Sequence, residues 1–388
     1  MQIHKKTLQF PAIEPKFTDG RVPPGFVNDV RGWTATRPQV EDAVKNGRLL
    51  TLDIDMAGHG ACSLRCGHCF RRSEGFRNEK RLNFEELALH LREAKSLGLL
   101  SAKIIGPGEP LEDRMLFPLL KLMADLDVIP LVFTKGHVLG DDMRCMQIHG
   151  LDGDQLAMAL MDMGATILLG ATSFDGGLED QIVGRKGYHA ARARAIVRLI
   201  DSGFTDFIPG EATRLGISFS PVTPDNIDEA FEVHKWARER HIQPILAPTI
   251  IAGKAKAHPD LIVRSDAMVD LYARLNIDAI QRGILTIEEL RAQGISSYGS
   301  AAPCNQLSVG MFMRGDGKVL RCPGNDTSIL GDLREKSLTQ IWEENGHLRR
   351  FRDPMNNLCP PKLAGGSYPE GFFAEAERMV EEHLLSEK

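Results

Sequence analysis

The chain has 388 residues, 43% apolar and 26% charged, a mixture that excludes disordered and collagen-like proteins and leaves room for one large domain with an appendage. Its 47 basic and 52 acidic side chains give a net charge of −5, which argues against a nucleic-acid partner held by bulk charge. No run of about 20 apolar residues is long enough to span a membrane, and the first residues hold no signal-peptide core, so a cytoplasmic location is expected. Seven cysteines, an odd number, point to metal ligation or catalysis before disulfides in that compartment.

Residues 1–48 read as an arm rich in proline, glycine and charge, with a short helix at 40–46. From residue 49 the pattern changes to short apolar runs, at 49–56, 101–106, 128–134, 165–171, 214–220 and 242–248. Amphipathic stretches lie between them, at 84–97, 112–125, 155–163, 189–201 and 225–240, as in Leu87, Leu91, Ala94 and Leu97. Asn83 and Asp225 are expected N-caps, and Gly98, Gly164 and Gly203 fall where helices stop. Strand–helix units in succession require a parallel sheet, because each crossover must return to the same edge. The fold class is therefore α/β, and six units suit a partial (βα)6 TIM-type barrel over residues 49–250 better than a closed eight-unit one.

After residue 250 the alternation fails. A connector at 251–299, helical over 264–293, leads into a small α+β domain at 300–366 and a closing helix within 367–388. In the small domain, Gly315-Asp316-Gly317 makes a hairpin turn between two alternating strands.

Cys62, Cys66 and Cys69 follow the first strand directly, where strand-end loops of such a barrel carry the chemistry. Three thiolates at spacings of four and three residues suit one face of a 4Fe–4S cluster, which ordinarily takes four cysteines, and leave one iron open. Cys66-Gly-His-Cys69 alone matches a redox dithiol, but that wants a small thioredoxin-like unit. A structural zinc site completed by His59 or His68 is the other alternative, and coincidence is the weakest.

The Cys-x-x-x-Cys-x-x-Cys spacing followed by Phe70 resembles that of radical S-adenosylmethionine (SAM) enzymes, and the resemblance covers about residues 49–250. Gly106-Pro107-Gly108-Glu109-Pro110 resembles the family's Gly-Gly-Glu-Pro loop, which hydrogen-bonds the SAM amino group, with Pro107 removing one backbone donor. Thr134-Lys135-Gly136 resembles the Thr-Asn-Gly turn, and Ser173-Phe174-Asp175 the Ser-Leu-Asp motif whose serine reaches the SAM ribose or carboxylate. The resemblance places Phe70 beside the adenine and offers Arg185 as a carboxylate partner, though a solvated basic loop explains Arg185 as well. It implies that SAM chelates the open iron, that one electron cleaves a carbon–sulfur bond, and that a 5′-deoxyadenosyl radical takes a hydrogen atom from the substrate.

Cys304, Cys322 and Cys359 form a second group. Cys304, the glycine turn and Cys322 five residues beyond Gly317 resemble the start of the auxiliary-cluster module called SPASM, or its shorter form, Twitch. Residues 337–352 resemble its following helix. Lys362 stands where a fourth cysteine is expected, so a three-cysteine Twitch-like 4Fe–4S site is the better match. Unrelated buried cysteines, or zinc completed by His347 or Cys145, are the alternatives.

Cys145 is a packing residue or a thiol that donates hydrogen to a product radical. Asp53 and Asp55 alternate on the first strand and face either the barrel interior or solvent. Arg71 and Arg72 are a docking patch for a reductant such as flavodoxin or ferredoxin, or merely solvated. Met-rich 156–164 is simplest as helix core. Together these features imply a radical SAM enzyme of biosynthesis, acting on a small molecule such as a sugar or amino-acid derivative, because the short arm leaves little room for a leader-peptide domain. A ribosomal-peptide maturase is the alternative within the superfamily; a non-catalytic zinc or iron–sulfur protein is the alternative outside it.

Overall fold

The computed structural model describes residues 7–56, 62–71, 81–324, 328–349, 359, 362 and 368–386. Six strands lie side by side in chain order, all parallel: β1 (Thr51–Ile54), β2 (Ser101–Ile104), β3 (Ile129–Thr134), β4 (Thr166–Ala171), β5 (Leu215–Val222) and β6 (Gln243–Pro248). All four β1 residues are buried, as in a parallel sheet covered on both faces. Alternation sends Leu52 and Ile54 to the helix layer, which leaves Asp53 and Asp55 on the inner face.

The crossovers are α2 (Phe84–Ser96), α3 (Leu116–Asp125), α4 (Asp142–His149) with α5 (Gly153–Asp162), α6 (Gly176–Val183) with α7 (Tyr188–Asp201), and α8 (Ile227–Glu239); α1 (Arg37–Asn46) precedes the sheet. Asn83 caps α2 as expected, in a reciprocal box with Glu86. The cap of α8 is Asn226 rather than Asp225. Its side chain clasps the preceding loop instead of the helix, accepting from Thr223 N at 2.7 Å and donating to Thr172 O at 2.8 Å. The connector breaks into α9 (Ser265–Gln281) and α10 (Ile287–Gln293), because Gly283 adopts φ 73° and Thr286 starts a new capping box. No helix among the described residues is long and apolar enough to cross a membrane.

The hairpin beyond the connector does not stand apart from the barrel. β7 (Gly310–Met313) pairs in parallel with β1, and β8 (Lys318–Leu320) and β9 (Ile329–Asp332) follow antiparallel, giving one sheet of order β6-β5-β4-β3-β2-β1-β7-β8-β9. The helix Leu338–Glu344 braces this extension: Trp342 donates to Gly47 O at 2.7 Å and Leu338 N to Glu93 of α2 at 2.8 Å. At the far end the N-terminal arm passes beneath the barrel, with Val30 bridged to Thr213. Gly32 is obligatory there, at φ 82° with Ile129 only 2.9 Å from where a Cβ would stand. Trp33 beside it packs with Leu131, Leu168 and Ile245 and floors the barrel.

Candidate functional site: two cysteine groups on one cavity

A cavity of about 280 Å³ runs along the inner face of the sheet, and six of the seven cysteines line it. Cys62, Cys66 and Cys69 come from the loop after β1; Cys304, Cys322 and Cys359 come from the β7–β8 region and the segment beyond it. None is in a disulfide, and all six are partly exposed. Among the described residues no three His, Cys, Asp or Glu side chains converge on a single-ion position. Of the proposed zinc partners, His59 lies outside the described residues. His68 lines the cavity, and burial, with Lys135 nearby, pushes its pKa down to about 3.

The first cysteine loop is held mostly by groups outside the cavity lining. Leu64 is buried with Val183 and Tyr188, Arg65 N donates to Val183 O at 2.9 Å, and Lys254 N donates to Cys69 O at 3.1 Å. Ser63 N donates to Glu112 Oε2 at 2.8 Å, and the Ser63 hydroxyl lies 3.0 Å from His137 Nε2. Burial opposes ionisation of Glu112, yet the bonds from His137 and Ser63 prevail and hold its pKa at about 2.

Phe70, Gly106, Gly108, Glu109 and Thr134 all line the cavity. The Glu109 carboxylate, however, is engaged by the protein itself. It accepts from Thr134 Oγ1 at 2.5 Å, Lys135 N at 2.8 Å and Leu111 N at 3.1 Å, and Thr134 Oγ1 accepts in turn from Gly136 N at 2.9 Å. Glu109 and Thr134 thus lock the loops after β2 and β3 together, and the Gly106–Gly108 backbone is what the loop presents. Burial raises the pKa of Glu109 despite these donors.

Four further residues are engaged by the protein itself. Ser173 is fully buried outside the cavity lining, its hydroxyl donating to Glu229 of α8 at 2.8 Å and accepting from Asp175 N. Arg185 reaches the cysteine loop rather than the cavity, donating to Ser63 Oγ at 2.8 Å. Cys145 is packed in the core on α4; its thiol donates to Val138 O at 3.0 Å, and burial pushes its pKa up to about 12. Arg71 is buried rather than displayed as a docking patch, and Arg72 lies outside the described residues. Arg71 pairs with Asp55 at 2.6 Å, donates to Pro323 O at 2.9 Å and stacks 4.6 Å from the Phe312 ring, so it ties the first cysteine loop to the residue after Cys322.

In the second group Lys362 is fully buried beside Cys359 and lines the same cavity. Its ammonium donates to Ser297 O at 2.6 Å and lies 3.2 Å from the Tyr298 ring centroid. Burial lowers its pKa to about 8, and the three thiols oppose that shift. His347 is exposed, and Arg350, Phe351 and Arg352 lie outside the described residues.

Several cavity residues escape sequence reasoning. Trp33 arrives from the arm, Ser218 and Ser220 from the end of β5, and Tyr298 from the connector. Asp53 was visible as a polar residue alternating with apolar ones; its partner Lys103, from β2, was not singled out.

Fold and cavity define an α/β partial-barrel protein with two thiol sets facing one chamber. A family model described as the radical SAM superfamily matches residues 58–237, and one described as an iron-sulfur cluster-binding domain, SPASM, matches residues 290–361. The crystal structure of Streptococcus suis SuiB bound to precursor peptide SuiA is 19% identical over 81% of this chain and 71% of that one, with a TM-score of 0.56. Histidine-tagged anSMEcpe with bound AdoMet is 15% identical over 87% of this chain and 94% of that one, with a TM-score of 0.59. No curated protein matches the chain. The chain carries a radical SAM domain and a SPASM iron–sulfur domain. Its cofactors are a 4Fe–4S cluster with SAM and an auxiliary iron–sulfur cluster, and the donor set fits them: three thiols from each module, all on one cavity.

Proposed function

We propose that this radical SAM enzyme abstracts a hydrogen atom from a small molecule, a sugar or amino-acid derivative held in the cavity between the two cysteine groups. In this reading Cys62, Cys66 and Cys69 hold the SAM-bound cluster, and Cys304, Cys322 and Cys359 hold the auxiliary one. The observation that carries it is the meeting of all six cysteines on a single cavity, although they are drawn from points up to 297 residues apart. When bound, the cluster and SAM supply a 5′-deoxyadenosyl radical on reduction by one electron, from a donor such as flavodoxin or ferredoxin.

The chain's own residues then have separate tasks. The Gly106–Gly108 backbone and Phe70 meet SAM; Glu109 and Thr134 hold that loop in shape. Ser63, Glu112 and Arg185 fix the first cysteine loop from outside. Lys362, engaged by Ser297 O and the Tyr298 ring, is withheld from the auxiliary metal, which favours an open fourth position facing the substrate. The apolar wall of Trp33, Phe133, Leu168 and Ile245 keeps water from the radical.

Anaerobic incubation of the reconstituted protein with SAM and dithionite tests this. Wild type should release 5′-deoxyadenosine and methionine, and Cys69→Ala should release neither. Stoichiometric zinc in place of iron would refute the reading.

A further inference from the structure

Resting on the reading of this cavity as the substrate chamber, we propose that Asp53 anchors a neutral O–H or N–H donor of the substrate, an alcohol or amide on a compact body that packs against Trp33, Phe133 and Tyr298. Asp53 sits in the middle of β1, between Lys103 of β2 and Phe312 of β7. It is only 5% exposed, lines the cavity, and its Oδ1 accepts no hydrogen bond. A buried carboxylate oxygen without a donor is expensive, and such exceptions mark a place where a donor arrives. Its neighbour Lys103 is 3.6 Å away, beyond a good hydrogen bond, and directs two of its three protons to Thr51 Oγ1 at 3.1 Å and Gln306 Oε1 at 3.5 Å.

Local charge selects the kind of donor. Lys103 already compensates the Asp53 carboxylate, and Arg71, Lys135 and Lys362 line the same cavity. A second cation at Asp53 would stand against Lys103, and an anion would stand against the carboxylate itself. A neutral donor completes the hydrogen bonding without adding charge. The body attached to it meets rings: Trp33 lies 5.1 Å from Tyr298, edge to face, and 6.2 Å from Phe133. Burial raises the pKa of Asp53, and the charge and side-chain contact of Lys103 oppose that.

Four probes sharing one aromatic body test the selection by calorimetry on the anaerobically reconstituted full-length protein: benzyl alcohol, benzamide, benzylamine and benzoate. Benzyl alcohol or benzamide should bind saturably, the tighter of the two naming the donor, with benzylamine and benzoate at least about tenfold weaker. Asp53→Leu should weaken the neutral probe by about tenfold or more, while Asp53→Asn, which keeps an acceptor oxygen, should lose less. Because Asp53→Leu strands the Lys103 charge, the double variant Asp53→Leu/Lys103→Met serves as its well-packed counterpart and should show the same loss. Iron content and SAM affinity, measured on the same samples, should not change. Wild type that holds no iron or SAM would sink the radical SAM reading instead of the anchor. Tightest binding of benzylamine or benzoate, no binding of any probe, unchanged affinity in the double variant, or loss of iron in both leucine variants would overturn the anchor.

Discussion

Glu112→Gln probes how the first cysteine loop is held. Glu112 receives Ser63 N at 2.8 Å and lies 3.1 Å from both His137 Nε2 and an Arg144 nitrogen, and its side chain is 8% exposed. Its folded pKa of about 2, against an ordinary 4.5, makes the ionised form the one that stabilises the fold. That gap corresponds to about 3.5 kcal/mol at most, at about 1.4 kcal/mol per tenfold. Because the folded value is depressed, the contribution is fully present above the unfolded value of 4.5 and is lost as pH falls towards 2. Glutamine resembles the protonated side chain at every pH. Urea unfolding of the cluster-free chain should therefore show the variant about 2–3 kcal/mol weaker at neutral pH, with the difference narrowing to roughly half as the medium is taken to about pH 3. A difference below about 0.5 kcal/mol at neutral pH, or one independent of pH, would refute the reasoning.

Cys145→Ala should leave 5′-deoxyadenosine and product formation unchanged, since the thiol faces Val138 O in the core; loss of product alone would restore it as a hydrogen donor. Ser173→Ala should cost about 1–3 kcal/mol of stability by removing one of the donors to buried Glu229, which keeps Phe174 N at 2.9 Å, with SAM affinity unaltered in a binding assay. Glu109→Ala should weaken SAM binding while iron is retained, because it frees the loop after β2 rather than a cluster ligand; iron lost together with SAM would show that this loop is misassigned.

The parts of the fold that repeat locally were legible in the sequence. All six expected barrel strands lie within two residues of their apolar runs, because β-branched clusters bounded by glycine and helix caps are short-range signals. The helices α4 and α6 were missed because each has eight residues and buries few of them, leaving little periodicity to read. The pairing of β7 with β1 joins residues more than 250 positions apart, and nothing in either strand announces its partner. The same limit governs the site. The cysteine groups announced themselves by spacing, but their meeting on one cavity depends on that pairing. Ser173 matched a motif by position, yet Glu229, 56 residues away, turns its hydroxyl inward. Trp33 reaches the cavity because the arm crosses beneath the barrel, a path that composition does not encode.

The central claim, that two separate thiol sets each hold an iron–sulfur cluster on one chamber, is tested most directly by iron stoichiometry with Mössbauer spectroscopy on anaerobically reconstituted protein. Wild type should hold about eight irons as two 4Fe–4S clusters. Replacing Cys62, Cys66 and Cys69 together by alanine should leave about four, and so should replacing Cys304, Cys322 and Cys359, each variant lacking a different spectral component. Wild type with only four irons, unaffected by the second triple replacement, would contradict the account.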